Sequence, residues 1–156
     1  MYKEEFMKEA VALARKCIEA GEGGPFGVVI VKDGRIVGRG RNQVTTSNDP
    51  TAHAEVLAIR DACQRLQTHH LEGCEIYTSC EPCPMCLGAI YWAHISKIYY
   101  AAGQLDAADA GFDDSFIYKE VNVPIAQRSI PGEQHDREAV LEVFEQWKNW
   151  DGRIDY

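Results

Sequence analysis

Two short stretches, Thr51-Ala-His-Ala-Glu55 and Cys80-Glu-Pro-Cys-Pro-Met-Cys86, restrict the fold more than any other part of the chain. Their side chains can meet only if two helices begin at the same place. Cys83 and Cys86 are spaced to fall on one side of a helix's first turn, where two sulfurs can grip one ion. Pro84 suits the first helical position, where its missing N–H is not needed, which makes Cys83 the cap. His53 and Glu55 are two apart, and along the side of a helix such residues point away from each other, so they converge only at a helix end. Asp49-Pro50 predicts that end, a cap residue and a proline ahead of Val56, Leu57 and Ile59, with the helix running from about Pro50 to Leu66. Both sets are thus expected at helix N-termini, whose partial positive charge favours thiolates. One imidazole and two thiolates leave the fourth tetrahedral position of a zinc ion open for water, as catalytic zinc requires, and Glu55 can then move the proton.

The remaining pattern supplies the scaffold. Phe6, Ala10, Leu13, Ala14 and Cys17 recur at three and four, marking an amphipathic helix that stops at Gly21-Glu-Gly-Gly-Pro25. Gly27-Val-Val-Ile-Val31 and Arg35-Ile-Val-Gly-Arg39 read as a hairpin turning at Asp33-Gly34, and the first strand is apolar enough to be covered on both faces. Asn42 to Asn48 reads as a polar loop. Cys74-Glu-Ile-Tyr-Thr-Ser79 is a third strand, Pro84 to Ala93 a helix, and Lys97-Ile-Tyr-Tyr-Ala101 a fourth strand, an order that implies parallel pairing through a right-handed crossover. Gln104 to Ala110 reads as a short helix, Gly111 to Ser115 as an irregular loop, and Phe116-Ile-Tyr118 as a short piece. Ser129-Ile-Pro-Gly132 is a turn that can follow a fifth strand, and Val140, Val143, Phe144 and Trp147 define a last amphipathic helix before the tail. The fold expected is α/β: a three-layer α/β/α sandwich with a mixed sheet of four to five strands and helices on both faces. A single domain, 1–156, is expected, with a C-terminal helix and tail over about 135–156.

Composition excludes several classes. There is no apolar run long enough to span a bilayer, and Met1-Tyr-Lys-Glu-Glu-Phe6 is unlike a signal peptide, so a cytoplasmic location is expected. A net charge of −8 with no basic cluster weighs against nucleic acid and favours a small neutral substrate. Six cysteines could form disulfides, but a chain of 156 residues does not need them, and Cys17 and Cys63 fall on apolar helix faces as inert core residues. Cys83 and Cys86 could form a redox pair, but that leaves His53 and Glu55 without a role. An iron–sulfur pattern beginning at Cys80 fails because its fourth cysteine would fall at Ile90. Cys80 as a fourth ligand would close the site and make the zinc structural.

His53-Ala-Glu55 with Pro82-Cys-Pro-Met-Cys86 resembles the zinc-dependent nucleobase deaminases of the cytidine-deaminase-like superfamily, whose signature is H-x-E…P-C-x-x-C. Thr78 to Trp92 and Ala110-Gly-Phe-Asp-Asp-Ser-Phe116 resemble one branch, the bacterial guanine deaminases. That resemblance implies one zinc per chain held by His53, Cys83 and Cys86, with Cys80 outside the ligand set. It implies Glu55 as the proton carrier and a purine base as substrate, guanine giving xanthine and ammonia. Asn42, which follows a strand aimed at the site, would hydrogen-bond the purine edge. Phe26 is a core plug or a wall for the base, and Trp92 belongs to core or pocket rim. Asp114, in preference to Asp113, would accept the N–H donors of guanine and help Glu55 return protons to the amine. Tyr156 would enter through a homodimer in which the C-terminal tail closes the neighbouring chain's pocket. A cytosine deaminase, a tRNA adenosine deaminase and a non-enzymatic structural-zinc module are the alternatives.

Overall fold

Val28, Val29 and Ile30 have no exposed surface, because strand β1 (Gly27–Lys32) is covered on both faces. The computed structural model describes all 156 residues. Helix α1 (Glu4–Ala20) precedes β1 and ends on Gly21 in a left-handed conformation. Strand β2 (Arg35–Arg41) returns antiparallel to β1 through Asp33 and Gly34, both at positive φ (50° and 72°), as a tight two-residue hairpin turn requires. A short helix α2 (Val44–Ser47) follows, then α3 (Ala54–Leu66), strand β3 (Glu75–Cys80), α4 (Pro84–Trp92), strand β4 (Lys97–Ala102) and α5 (Gln104–Asp109). The sheet has the order β2-β1-β3-β4, with β3 antiparallel to β1 and parallel to β4.

Alternate residues of each strand face opposite layers. On one side Phe6, Met7 and Ala10 of α1 pack with Val29, Val31 and Tyr77. On the other, Ala54, Ala58 and Ala62 of α3 and Ile90 of α4 pack with Val28, Ile30 and Ile76. The three-layer mixed α/β sandwich is therefore as expected, with four strands and no fifth. Cys17 is fully buried in α1, and its thiol reaches the carbonyls of Phe26 and Asn42, both at 3.7 Å.

The three alanines of α3, four residues apart, let the helix lie directly on the glycines of β2. A Cβ on Gly40 would stand 2.0 Å from the Ala54 carbonyl oxygen and 2.6 Å from the Ala58 nitrogen, and one on Gly38 would stand 2.6 Å from the Ala58 oxygen. Only glycine permits this approach.

Two expectations need correction. Helix α3 starts at Ala54 rather than Pro50, because the Asp49 carboxylate accepts from the Thr51 amide (2.8 Å) and hydroxyl (2.6 Å) and closes a turn of its own. Residues 42–48 are not simply loop, since Val44–Ser47 forms α2.

Residues 1–114 form one compact unit and residues 115–156 a second. The second contains α6 (Ser115–Glu120), which includes Phe116 to Tyr118, a 3-10 turn at Ile125–Gln127, and α7 (Arg137–Lys148). Val140, Val143 and Phe144 on α7 are exposed. No helix is long and apolar enough to cross a membrane.

The contact of α3 with β2 predicts that Gly40→Ala will lower stability by about 1–3 kcal/mol, the usual cost of overpacking. Gly88→Ala, inside α4 with nothing within 4 Å of a new Cβ, should be neutral or raise stability by up to about 1 kcal/mol. Thermal midpoints of the two variants, with zinc content measured alongside, check the contrast.

Candidate metal centre and active site

The first turns of α3 and α4 bring the two motifs together. His53 is the N-cap of α3 (φ −71°, ψ 152°) and Cys83 the N-cap of α4 (φ −66°, ψ 167°), with Pro84 in the first turn. Each cap carbonyl accepts the first helical bond, from Leu57 to His53 at 3.0 Å and from Leu87 to Cys83 at 2.8 Å. The extended cap backbone leaves each side chain outside its own helix. His53 Nδ1 lies 3.6 Å from Cys83 Sγ and 3.5 Å from Cys86 Sγ, and all three ligand atoms lie within 4.8 Å of one another.

These distances fit zinc. Bonds of about 2.3 Å to sulfur and 2.0–2.1 Å to nitrogen at a tetrahedral angle separate nitrogen from sulfur by ~3.6 Å. The protonation pattern agrees. The Cys86 thiol donates to Cys83, which with His53 holds Cys83 down at about 4, while Cys86 itself is pushed far up as the donor and by burial. The hydrogen bond to Cys83 raises the proton affinity of His53, with burial opposing it. Two sulfurs and a ring nitrogen thus share protons where a divalent cation would replace them. His53, Cys83 and Cys86 form the candidate zinc site.

Glu55, the second residue of α3, is buried but lies outside the ligand trio. Burial pushes its carboxyl above the usual range, while its own backbone N–H and the Cys86 thiol pull the other way. Cys80 also stays outside the trio. Its Sγ lies 4.0 Å from the Gly103 carbonyl, and burial together with the charge of Glu55 raises the thiol to about 11, so it remains neutral.

Asn42 follows β2 and is buried, and its Oδ1 accepts from the Val44 amide at 3.1 Å. A backbone N–H can only donate, so the oxygen is assigned and the Asn42 NH₂ is the edge left to donate. Gly23 gives this side chain room, since a Cβ there would stand 2.7 Å from Oδ1. Phe26 is half-buried and meets Phe112 edge to face, with centroids 4.9 Å apart and planes at 84°. Phe112 was not singled out from the sequence, although it lies in the Ala110 to Phe116 stretch that carries the resemblance.

Of the acidic pair, Asp113 is exposed and Asp114 half-buried. Asp114 Oδ1 accepts from Gln104 Nε2 at 3.0 Å, and the charge of Asp114 is felt at Cys80. Trp92 is the exposed last residue of α4, its backbone about 13 Å along the helix from Cys83 at 1.5 Å per residue. Tyr156 is the exposed last residue of the second unit.

Comparison with known proteins gives three results. Residues 1–102 match the family model described as the cytidine and deoxycytidylate deaminase zinc-binding region. The chain is 57% identical to guanine deaminase of Bacillus subtilis over 156 residues, all of both chains, and 38% identical to a tRNA-specific adenosine deaminase of Aquifex aeolicus over 147 residues, 94% of each. Against the crystal structure of the Bacillus subtilis enzyme the TM-score is 0.96, covering 100% of this chain and 99% of that one. A guanine deaminase of Nitrosomonas europaea gives 0.69 at 30% identity, covering 91% of this chain and 72% of that one.

The raised pKa of Glu55 has a stability consequence of defined sign. The folded, zinc-stripped protein prefers the neutral carboxyl. Stability is therefore fully present below the ordinary glutamate pKa and is lost as pH rises through the folded value. Glu55→Gln should raise the melting temperature of zinc-stripped protein at neutral pH, with the gain vanishing near pH 4. Melting curves across that range check it.

Proposed function

The chain belongs to the cytidine and deoxycytidylate deaminase zinc-binding family, and on that premise we propose that it hydrolyses guanine to xanthine and ammonia. The observation that carries the choice of base is the likeness to a guanine deaminase over the whole of both chains, which takes in Gly111 to Asp114 as well as the zinc motifs. Bound by His53, Cys83 and Cys86, zinc supplies the Lewis acidity that makes a water a nucleophile at neutral pH. Glu55 accepts a proton from the attacking water and gives it to the ring nitrogen beside carbon 2, which makes that carbon electrophilic. The water's oxygen bonds to carbon 2. Glu55 then carries the second proton to the amino group, the carbon–nitrogen bond breaks, and ammonia leaves xanthine behind. Its buried, raised carboxyl suits a group that must both take and release a proton.

Recognition falls to the side chains around this centre. Asp114 accepts the N–H donors that guanine presents at its ring nitrogen and at the departing amine, and helps Glu55 return the proton. The Asn42 NH₂ donates to an acceptor on the base, and Phe26, braced by Phe112, forms an aromatic wall. Trp92 belongs to the pocket rim. Residues 1–156 act as one deaminase domain in the cytoplasm, as a homodimer. The tail over about 135–156 closes the neighbouring chain's pocket and brings Tyr156 to the base. The exposed Val140, Val143 and Phe144 of α7 support this part, being an apolar face in need of cover.

A tRNA adenosine deaminase is the second reading, favoured by the 38% identity to the Aquifex aeolicus protein and opposed by the net charge of −8. Ammonia release from guanine, cytosine, adenine and a tRNA substrate separates the two. Guanine turnover is expected. Release from tRNA alone, with steep salt dependence of binding, would select the second reading. Glu55→Gln should retain zinc and lose guanine turnover by about 10²–10⁴-fold, the contribution of a positioned acid/base. Near-native rates in that variant would refute the proton path.

A further inference from the structure

Gln104 takes no part in the chemistry above, yet it ties together two segments that flank the centre. It is the first residue of α5, and the turn before it is fixed by the Gly103 amide donating to Asp106 Oδ2 at 2.8 Å. The Gln104 backbone amide donates to Glu81 Oε2 at 3.1 Å. Glu81 lies in the cysteine loop, where its own amide donates to the Ala102 carbonyl at 2.8 Å and prolongs the β3–β4 pairing. The side chain reaches the other way, with Nε2 donating to Asp114 Oδ1 at 3.0 Å.

We propose that Gln104 is a positioning residue that fixes the Asp114 carboxylate for guanine and so sets the preference for a purine edge made of adjacent N–H donors. This rests on the reading of Asp114 as the acceptor for the base. Asp114 follows Gly111, which holds φ at 93°, in an irregular segment where a half-buried aspartate would otherwise rotate. One hydrogen bond from Gln104 stops the rotation and uses one lone pair. A lone pair on Oδ1 and both on Oδ2 remain for the ring N–H and the amine of guanine. The donor is a neutral amide, so the carboxylate keeps its charge, and a lysine there would cancel it. Adenine at the same edge presents a ring nitrogen lone pair, which a fixed carboxylate repels. Glutamine therefore holds the acceptor in place and leaves its selectivity intact.

Two near-isosteric variants test this. Gln104→Met removes the donor, and Gln104→Glu sets a second carboxylate against Asp114. Both should keep zinc content and melting temperature while kcat/KM for guanine falls about ten- to a hundredfold, the worth of a hydrogen bond to a charged group. The loss should appear mainly as a raised KM. Guanine affinity measured in an inert Glu55→Gln background should fall by the same factor. In an Asp114→Ala background Gln104→Met should cause no further loss, because Gln104 acts only through Asp114. An equal loss with and without Asp114 would overturn the proposal and leave a structural role. Unchanged kinetics in both variants, with guanine turned over by the parent, would overturn this inference alone. Absence of guanine turnover in the parent would overturn the functional reading as well.

Discussion

The metal ligands can meet because α3 rests on β2 with no side chain between the two backbones. Gly38 and Gly40 face Ala54, Ala58 and Ala62 so closely that a single methyl group on either glycine would displace the helix. This contact fixes the height and tilt of α3, and with them its N-cap, His53. The same strand ends at Arg41, directly before Asn42, so the ligand and the proposed base-binding amide share one backbone reference. The other helix is tied independently. Leu71 donates to the Ala93 carbonyl at 2.8 Å and Ser96 to the Cys74 carbonyl at 2.9 Å, which clamp the far end of α4. Its near end follows β3, where the Thr78 hydroxyl donates to the Cys80 carbonyl at 2.7 Å. Two rigid helices are thus set by packing far from the metal, and the ligand geometry follows.

Much of this was legible in the sequence because ligand chemistry and periodicity point the same way. His53 and Glu55, two apart, could converge only at a helix end, and His53 is that end. Cys83 before a proline could only be a cap, and it is one. The hairpin at Asp33-Gly34 was equally fixed by its turn residues. The start of α3 was misread because Asp49-Pro50 has the composition of a helix start, while the Thr51 hydroxyl offers the Asp49 carboxylate a nearer partner than any helical amide. Composition cannot rank two local partners for one carboxylate. Nothing local in the sequence separates Asp114 from Asp113; the difference in burial and the bond from Gln104 to Asp114 both arise from tertiary placement. Trp92 could not be located from spacing, since a nine-residue helix carries its two ends to different places. The uncovered face of α7 shows the same limit, as amphipathic periodicity states that a face needs cover and not what supplies it.

The charges around the centre form a balanced set, and Cys80 shows how closely. Two thiolates and a neutral imidazole cancel a divalent cation. A third thiolate would leave a net negative charge and occupy the position a water needs. Cys80 sits beside Glu55 with a thiol raised to about 11, so it adds neither charge nor ligand. The same burial that keeps Cys80 neutral raises Glu55. A carboxyl in that environment does not rest comfortably as an anion, yet it lies beside Cys86 and His53, where a bound cation would favour the anion again. These two opposing pulls are what the proposed proton carrier needs, since a carboxyl that must both take and release a proton is served by neither extreme.

Selectivity obeys a different rule from reactivity in such an arrangement. The zinc trio and Glu55 are set by helix ends on a sheet, and all four lie within the residues that match the family model. The groups proposed to read the base, Asn42, Phe26 and Asp114, stand on a strand end or on loops, each held by a neighbour of its own: the Val44 amide, the Phe112 ring and the Gln104 side chain. On that proposal, moving any one neighbour would alter recognition without touching the sheet. On the proposed reading, that separation would let relatives named for different bases, 57% and 38% identical to this chain, share one scaffold.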